Sequence, residues 1–218
     1  MFDIYVTSAD GTETRRLTDR PDTWEDQPTW SPDGEKVAYT VHYFDGSDNS
    51  EIFVTNRNGP DQTSITKTQL REEYPDWSTT QDTIAFLYQA SAGSLDMYVY
   101  TMKPDGSERH RLSDLPAEGP VRWSPDGASL AFSAPKGEGW DIFIMNADGS
   151  GGRYLTDEEA PHNYTPAWSP NGKCIAFMSP RDGPGSLYVA RVDGGGVLRL
   201  TENPGPGMDF HPSWSSAE

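Results

Sequence analysis

The sequence predicts an all-β fold, a β-propeller of about five four-stranded blades. Three observations predict it. Two short modules return in alternation along the chain, a tryptophan marks one of them at near-constant spacing, and most copies of both carry the turn residues of a β-hairpin. Self-similarity at a period of 20–50 residues is the signature of stacked or radially repeated architectures.

The first module reads Trp30-Ser-Pro-Asp-Gly-Glu-Lys-Val-Ala-Tyr39. It returns as Trp77-Ser-Thr-Thr-Gln-Asp-Thr-Ile-Ala-Phe86, Trp123-Ser-Pro-Asp-Gly-Ala-Ser-Leu-Ala-Phe132 and Trp168-Ser-Pro-Asn-Gly-Lys-Cys-Ile-Ala-Phe177. A fifth copy opens at Trp214-Ser215. The tryptophans stand 47, 46, 45 and 46 residues apart. The second module begins Asp3-Ile-Tyr-Val6 and returns at Glu51, Asp96, Asp141 and Ser186. An Asp-Gly or Asn-Gly pair follows each copy, and Leu17-Thr18, Leu112-Ser113, Leu155-Thr156 and Leu200-Thr201 close four units. The second unit departs, closing on Ile65-Thr66.

Each module reads as a hairpin. Asp-Gly and Asn-Gly supply the positive φ of tight turns, and Pro suits an earlier turn position. The flanks are rich in Ile, Val, Tyr and Phe, as strands are. Two hairpins per period give four strands in about 45 residues, the content of one propeller blade. Along Ile-Ala-Phe the side chains alternate, so a large face on one blade can meet the small Ala face of the next. The repeated Trp is read as packing between blades.

The string Trp-Ser-Pro-Asp-Gly…Ile-Ala-Phe…Asp-Ile-Tyr…Asp-Gly…Arg-Leu-Thr resembles the TolB-type propeller repeat. It is also similar to repeats in the propellers of the prolyl oligopeptidase, dipeptidyl peptidase and tricorn families. The resemblance covers essentially the whole chain and speaks to fold far more than to function. It implies that six blades are common, that the propeller holds protein partners at the bacterial envelope, and that the location is periplasmic. The peptidases with similar propellers carry a separate hydrolase domain, and no such domain fits within 218 residues.

Composition narrows the partners. The 25 aromatic residues argue for a packed fold despite a polar mean hydropathy of −0.72. A net charge of −17 repels nucleic acid and anionic lipid and favours cationic partners. Cys174 is the single cysteine, so an intrachain disulfide and a cysteine-based metal site are both excluded. No apolar run approaches a membrane span, and the N-terminus lacks the regions of a signal peptide.

Residues 1–218 are read as a single propeller domain, or as a piece of a longer propeller or multidomain protein. If the ring closes, Trp214 joins the blade begun by Asp3, a composite of the two ends. Only four residues follow Trp214, whereas Ile175 lies seven after Trp168, so one strand of that blade is missing. An unpaired edge invites a second chain, so the expectation is either a homo-oligomer through this region or labile first and last segments.

The longer, more varied loops lead into the Trp strands, on the face where scaffolded function usually sits. These segments carry Trp24, Asp26, Glu73, Tyr74, His162, Tyr164, Asp209 and His211, expected to ring the mouth of the central channel. Acidic, imidazole and aromatic groups gathered there suit a cationic or amphipathic ligand. The competing reading is that they solvate the channel and cap strand ends. His162 and His211, with Asp209, lack the tight spacing of a metal site, so no metal is assigned. Asp45-Gly-Ser-Asp48-Asn49-Ser-Glu51 has the oxygen density of a Ca²⁺ loop, but its spacing is not that of an EF-hand.

No Gly-x-Ser-x-Gly elbow, His-Glu-x-x-His or phosphate-binding glycine loop occurs, and no cofactor or catalytic residue is assigned. The expectation is a non-catalytic propeller engaging a protein or peptide at the channel mouth. Two alternatives stand beside it. One is a carbohydrate-active lyase or hydrolase using Glu73 and Asp209, and the other is an accessory propeller of a multidomain peptidase.

Overall fold

A computed structural model describes residues 2–59, 61–156, 162–202 and 207–215. The chain divides into two compact units, Met1–Arg111 and Leu112–Glu218. Among the described residues every regular element is a strand.

The first unit opens with the hairpin β1 (Tyr5–Thr7) and β2 (Thr14–Arg16). A four-stranded antiparallel meander follows: β3 (Thr23–Trp30), β4 (Lys36–Tyr43), β5 (Ser50–Asn56) and β6 (Thr63–Ser64). Next come β7 (Glu72–Trp77), β8 (Ile84–Gln89) and β9 (Met97–Met102), paired in the same order. The long strand β10 (His110–Trp123) carries the chain into the second unit. There its C-terminal half pairs with β11 (Ser129–Lys136), followed by β12 (Gly139–Asn146) and β13 (Arg153–Tyr154). A last meander comprises β14 (Tyr164–Trp168), β15 (Cys174–Ser179), β16 (Ser186–Arg191) and β17 (Val197–Arg199). These successive meanders are those of an all-β propeller, the architecture expected from the repeats.

Packing between consecutive sheets follows the large-against-small pattern. Val37, Tyr39 and Val41 of β4 face Ile4 and Leu17 of the hairpin in one cluster. Ala38, on the other side of β4, joins Ile52 and Val54 in a cluster with Trp77, Ile84 and Phe86 of the next sheet. The second unit repeats this, with Ala131, Ile142, Ile144 and Leu155 set against Ile175, Phe177 and the half-buried Trp168. Alternation along each strand therefore assigns one residue set to each neighbour.

The Asp-Gly turns do more than reverse the chain. Gly106 has φ of +83°, and a Cβ there would lie 2.1 Å from the carbonyl oxygen of Ile65, the closing residue of the preceding repeat. Gly149 repeats the approach, 2.7 Å from the oxygen of Leu112. Only glycine meets both demands, positive φ and a backbone at its Cα.

Two expectations need correction. Trp77 and Trp123 are buried, but Trp30 is 48% and Trp214 40% exposed. Trp77 meets β4 with its small Ala38, whereas the sheet before Trp30 is the two-stranded hairpin β1–β2, which has no counterpart of β4. Trp30 instead lines an open groove of about 770 Å³ with Val6, Thr14 and Arg57. Residues 212–215, expected as a strand of the composite blade, lie in no strand. Trp214 nonetheless keeps a contact of the repeat. Its indole N–H donates to the Ala167 carbonyl at 3.0 Å, as that of Trp168 donates to the Arg122 carbonyl at 3.2 Å.

These differences separate the tryptophans energetically. Trp123→Ala is expected to cost about 3–5 kcal/mol in urea unfolding, the usual penalty for emptying a buried aromatic site. Trp30→Ala, already half in water, is expected to cost less than half as much. Equal losses would contradict this division of the repeat position.

Candidate functional site

On the inner strands, those that end in a repeat Trp, Trp24 and Asp26 lie in β3, Glu73 and Tyr74 in β7 and Tyr164 in β14, whereas His162 stands just before β14 and Asp209 and His211 in the segment before Trp214. Counting back from each Trp aligns them. Trp24, Arg71 and His162 stand six residues before; Glu25, Glu72, Asn163 and Asp209 five; Asp26, Glu73, Tyr164 and Phe210 four; Gln27, Tyr74, Thr165 and His211 three. His162 and His211 thus occupy different repeat positions.

The fifth position before Trp is structural. Glu25, Glu72 and Asn163 are buried. Thr18 Oγ1 accepts from the Ile4 amide at 3.0 Å and donates to Glu25 Oε2 at 3.1 Å, tying the Leu-Thr close to the inner strand. Thr66 Oγ1 likewise accepts from the Ile52 amide at 3.0 Å, while the neighbouring Thr68 donates to Glu72. In the last repeat Thr201 Oγ1 accepts from the Leu187 amide at 3.0 Å and donates to Asp209 Oδ2 at 2.6 Å. Asp209, expected at a binding mouth, is therefore engaged as this latch. The unit closing on Thr156 varies the theme. Buried Asp141 accepts from the Ile142 amide, from Thr156 and from Asn163 Nδ2, and Asn163 Oδ1 accepts from Arg181 at 2.7 Å.

The third position before Trp bends the strand. Gln27, Tyr74, Thr165 and His211 all have φ between +51° and +56°. The register of β3, β7 and β14 slips across this point in each sheet, the mark of a β-bulge. None of the four is Gly or Asn, and Thr165 is β-branched, for which the left-handed region is a true outlier. Gln27 Oε1 accepts from Thr40 Oγ1 and from the Tyr74 amide, both at 2.7 Å, so one bulge holds the next inner strand. Tyr74 is thus partly a backbone anchor.

The sixth and fourth positions carry the less committed side chains. In the first unit Asp26 bridges two rings: Trp24 Nε1 lies 3.0 Å from Oδ2 and His42 Nε2 3.0 Å from Oδ1. The Trp24 and His42 ring centroids are 5.2 Å apart, and Phe2 and Phe44 flank Trp24 at 5.3 and 6.2 Å. Burial lowers the His42 pKa, but the bond and charge of Asp26, reinforced by Glu73 and opposed by Arg71, raise it overall above 6.5. Glu73 Oε1 accepts from Ser50 Oγ at 3.3 Å. In the second unit His162 Nδ1 lies 3.4 Å from the Tyr164 hydroxyl, whose pKa is raised by burial and then by Glu118. The His211 ring lies 6.3 Å from that of Phe210.

His42 was not among the residues singled out from the sequence. It lies beyond the Val-Ala-Tyr core of β4, in register opposite Trp24, and only that pairing reveals it. The Asp45 loop is an ordinary turn in which the carboxylate accepts from the Ser47 amide at 2.9 Å. Among the described residues no three His, Cys, Asp or Glu side chains are placed to share a metal ion.

The latch yields a pH prediction. Glu72 is fully buried, and burial raises its pKa to about 7 against the Thr68 bond and the Arg109 guanidinium 3.8 Å away. Between about pH 4.5 and 7 the folded state then holds a proton that the unfolded state has released, so this group's contribution to stability falls as pH rises. Glu72→Gln is expected to gain about 1–3 kcal/mol on the wild type between pH 5 and pH 8 in urea unfolding. A difference that does not change with pH would contradict the assignment.

Comparison with known proteins agrees with this geometry. Residues 115–218, just under half of the chain, match the TolB beta propeller domain family. A 58-residue stretch is 36% identical to the Tol-Pal system protein TolB of Anaeromyxobacter dehalogenans, covering 27% of this chain and 12% of that protein. A 131-residue stretch is 28% identical to the uncharacterized peptidase YuxL of Bacillus subtilis, covering 60% of this chain and 18% of that protein. The chain thus spans less than a fifth of either curated relative. Among solved structures, TolB from Acinetobacter baumannii superposes with a TM-score of 0.75 at 20% identity, over 90% of this chain and 48% of that one. With its repeats, its meanders and these likenesses taken together, the chain is a β-propeller whose residues 115–218 match the TolB beta propeller domain family.

Proposed function

We propose that this chain is a non-catalytic binding propeller that engages a protein or peptide partner bearing cationic groups. The contacts are made by the inner-strand segments of each unit: Trp24, Asp26, Glu73 and Tyr74 in the first, His162, Tyr164 and His211 in the second. Asp209 takes part through its latch. The same proposal treats residues 1–218 as one propeller domain.

The observation that carries it is the division of labour along the inner strands. Glu25, Glu72 and Asn163, five before Trp30, Trp77 and Trp168, are buried on hydrogen-bonding partners, whereas Asp26, Glu73 and Tyr164, four before, are only half-buried. The bulge beside them is held in a strained backbone conformation at the same repeat position each time. Strain maintained in this way clusters at functional sites. Aromatic groups next to carboxylates give contact area and charge attraction for a cation together. The match to a Tol-Pal system protein supports a role in protein assembly.

Selection from a random peptide display library tests this. The wild type should enrich Lys- and Arg-bearing peptides with aromatic or aliphatic neighbours. The combined change Asp26→Asn, Glu73→Gln and Tyr164→Ala should weaken the selected peptides by about tenfold or more, or 1.4 kcal/mol, at an unchanged melting temperature. Asp105 and Asp148 lie in turns where each carboxylate already holds its own Ser107 or Ser150, and their substitution should leave binding intact. Binding that survives the triple change and is lost on changing Asp105 or Asp148 would overturn the proposal.

A further inference from the structure

Around Trp24 the first unit presents a small patch with two kinds of surface. Phe2 and Phe44 are 63% and 58% exposed and pack their rings beside the half-buried indole, forming an apolar shelf open to water. Below the shelf stand Asp26 and His42, and the charges bearing on the imidazole are Asp26 from β3 and Glu73 and Arg71 from β7 and the residue before it. With His42 neutral, two carboxylates face one guanidinium, and the patch is net negative. With His42 protonated, the charges balance.

We propose that His42 sets the occupancy of a cation-binding patch built by Trp24, Asp26 and Glu73, which accepts a lysine- or arginine-bearing apolar peptide segment while the imidazole is neutral and releases it on protonation. The inference rests on the proposed function in taking a cationic peptide as the ligand. It goes further in naming the groups and the switch.

The chemistry follows from Asp26. Its two carboxylate oxygens are taken by the Trp24 N–H and by His42, both at 3.0 Å. The indole bond orients the carboxylate and leaves its charge in place. A protonated His42 is itself the cation that Asp26 would otherwise bind, so ligand and imidazolium compete for one oxygen. A neutral imidazole is a weaker competitor, and an incoming ammonium or guanidinium can displace it, with its aliphatic stem lying along Trp24 and Phe44. Binding should therefore strengthen as pH rises through the raised His42 pKa, the reverse of what His42 contributes to folding.

The probe is an end-blocked Lys-Leu-Lys-Leu-Lys peptide, whose charge is constant between pH 5.5 and 8.5. It is titrated into the full chain at fixed ionic strength, with the Trp24 indole N–H and the His42 ring followed by NMR. Affinity is expected to rise about fivefold or more from pH 5.5 to 8.5. His42→Gln should bind as tightly as the high-pH wild type at both pH values, and Asp26→Asn should bind weakly at both. In the wild type, saturating peptide should lower the His42 pKa, because coupling between two ligands is reciprocal. That readout needs no variant to fold. Peptide that shifts the Trp24 signal with equal affinity at both pH values, or leaves the His42 pKa unmoved, overturns the switch while sparing the binding patch. A peptide that leaves the Trp24 signal unchanged at both pH values overturns both.

Discussion

The structure depends on one recurring contact, in which the small face of a sheet receives the large face of the next. Ala38 and Ala131 are wholly buried where Trp77, Phe86, Trp168 and Phe177 arrive. A four-stranded meander cannot bury both its faces alone, so each repeat draws its stability from its neighbours. The Ala in Val-Ala-Tyr or Ile-Ala-Phe is thus a spacing constraint, because it sets how closely two sheets approach. That closeness in turn brings the Gly106 backbone onto the Ile65 carbonyl and the Trp168 indole within reach of the Arg122 carbonyl. Trp30 shows the converse. Next to a two-stranded hairpin it finds no such receptor and remains half exposed.

The same constraint divides the inner strands into structural and available positions. Once the sheets are fixed, hydrogen bonds at the threonine closes bury Glu25, Glu72 and Asn163, and the bulge two residues later turns the backbone. What remains on the accessible side is the short set that includes Trp24, Asp26, Glu73, His162 and Tyr164. Function can vary at those positions without disturbing the repeat. This explains how one scaffold presents Asp26 in one unit and Tyr164 in another, and it is consistent with fold and function being loosely coupled in propellers.

The fold was readable because its determinants are local and repeated. Asp-Gly turns, Ile-Ala-Phe alternation and the tryptophan spacing each depend on residues close in sequence. The site was readable only in part. That Asp209 acts as a latch follows from counting back from each Trp and finding Glu25, Glu72 and Asn163 in register with it, a signal present in the chain but hidden by looking at loops one at a time. The bulges at Gln27, Tyr74 and Thr165 carry no such signal. Their positive φ is imposed by packing on residues that locally disfavour it. His42 is invisible for another reason: its role comes from cross-strand register with Trp24, which depends on where the bulge falls between Asp26 and Thr29. The exposure of Trp30 likewise depends on what stands beside it and not on its own repeat.

The central claim is that small-against-large packing between consecutive sheets holds the chain together. Urea unfolding of Ala38→Leu and Ala131→Leu tests it most directly, with Ala128→Leu as the exposed control. The account predicts a loss of about 1–3 kcal/mol or more at each buried alanine, as overpacking drives two sheets apart, and little change at Ala128. Stabilities within about 0.5 kcal/mol of the parent at both buried alanines would contradict it.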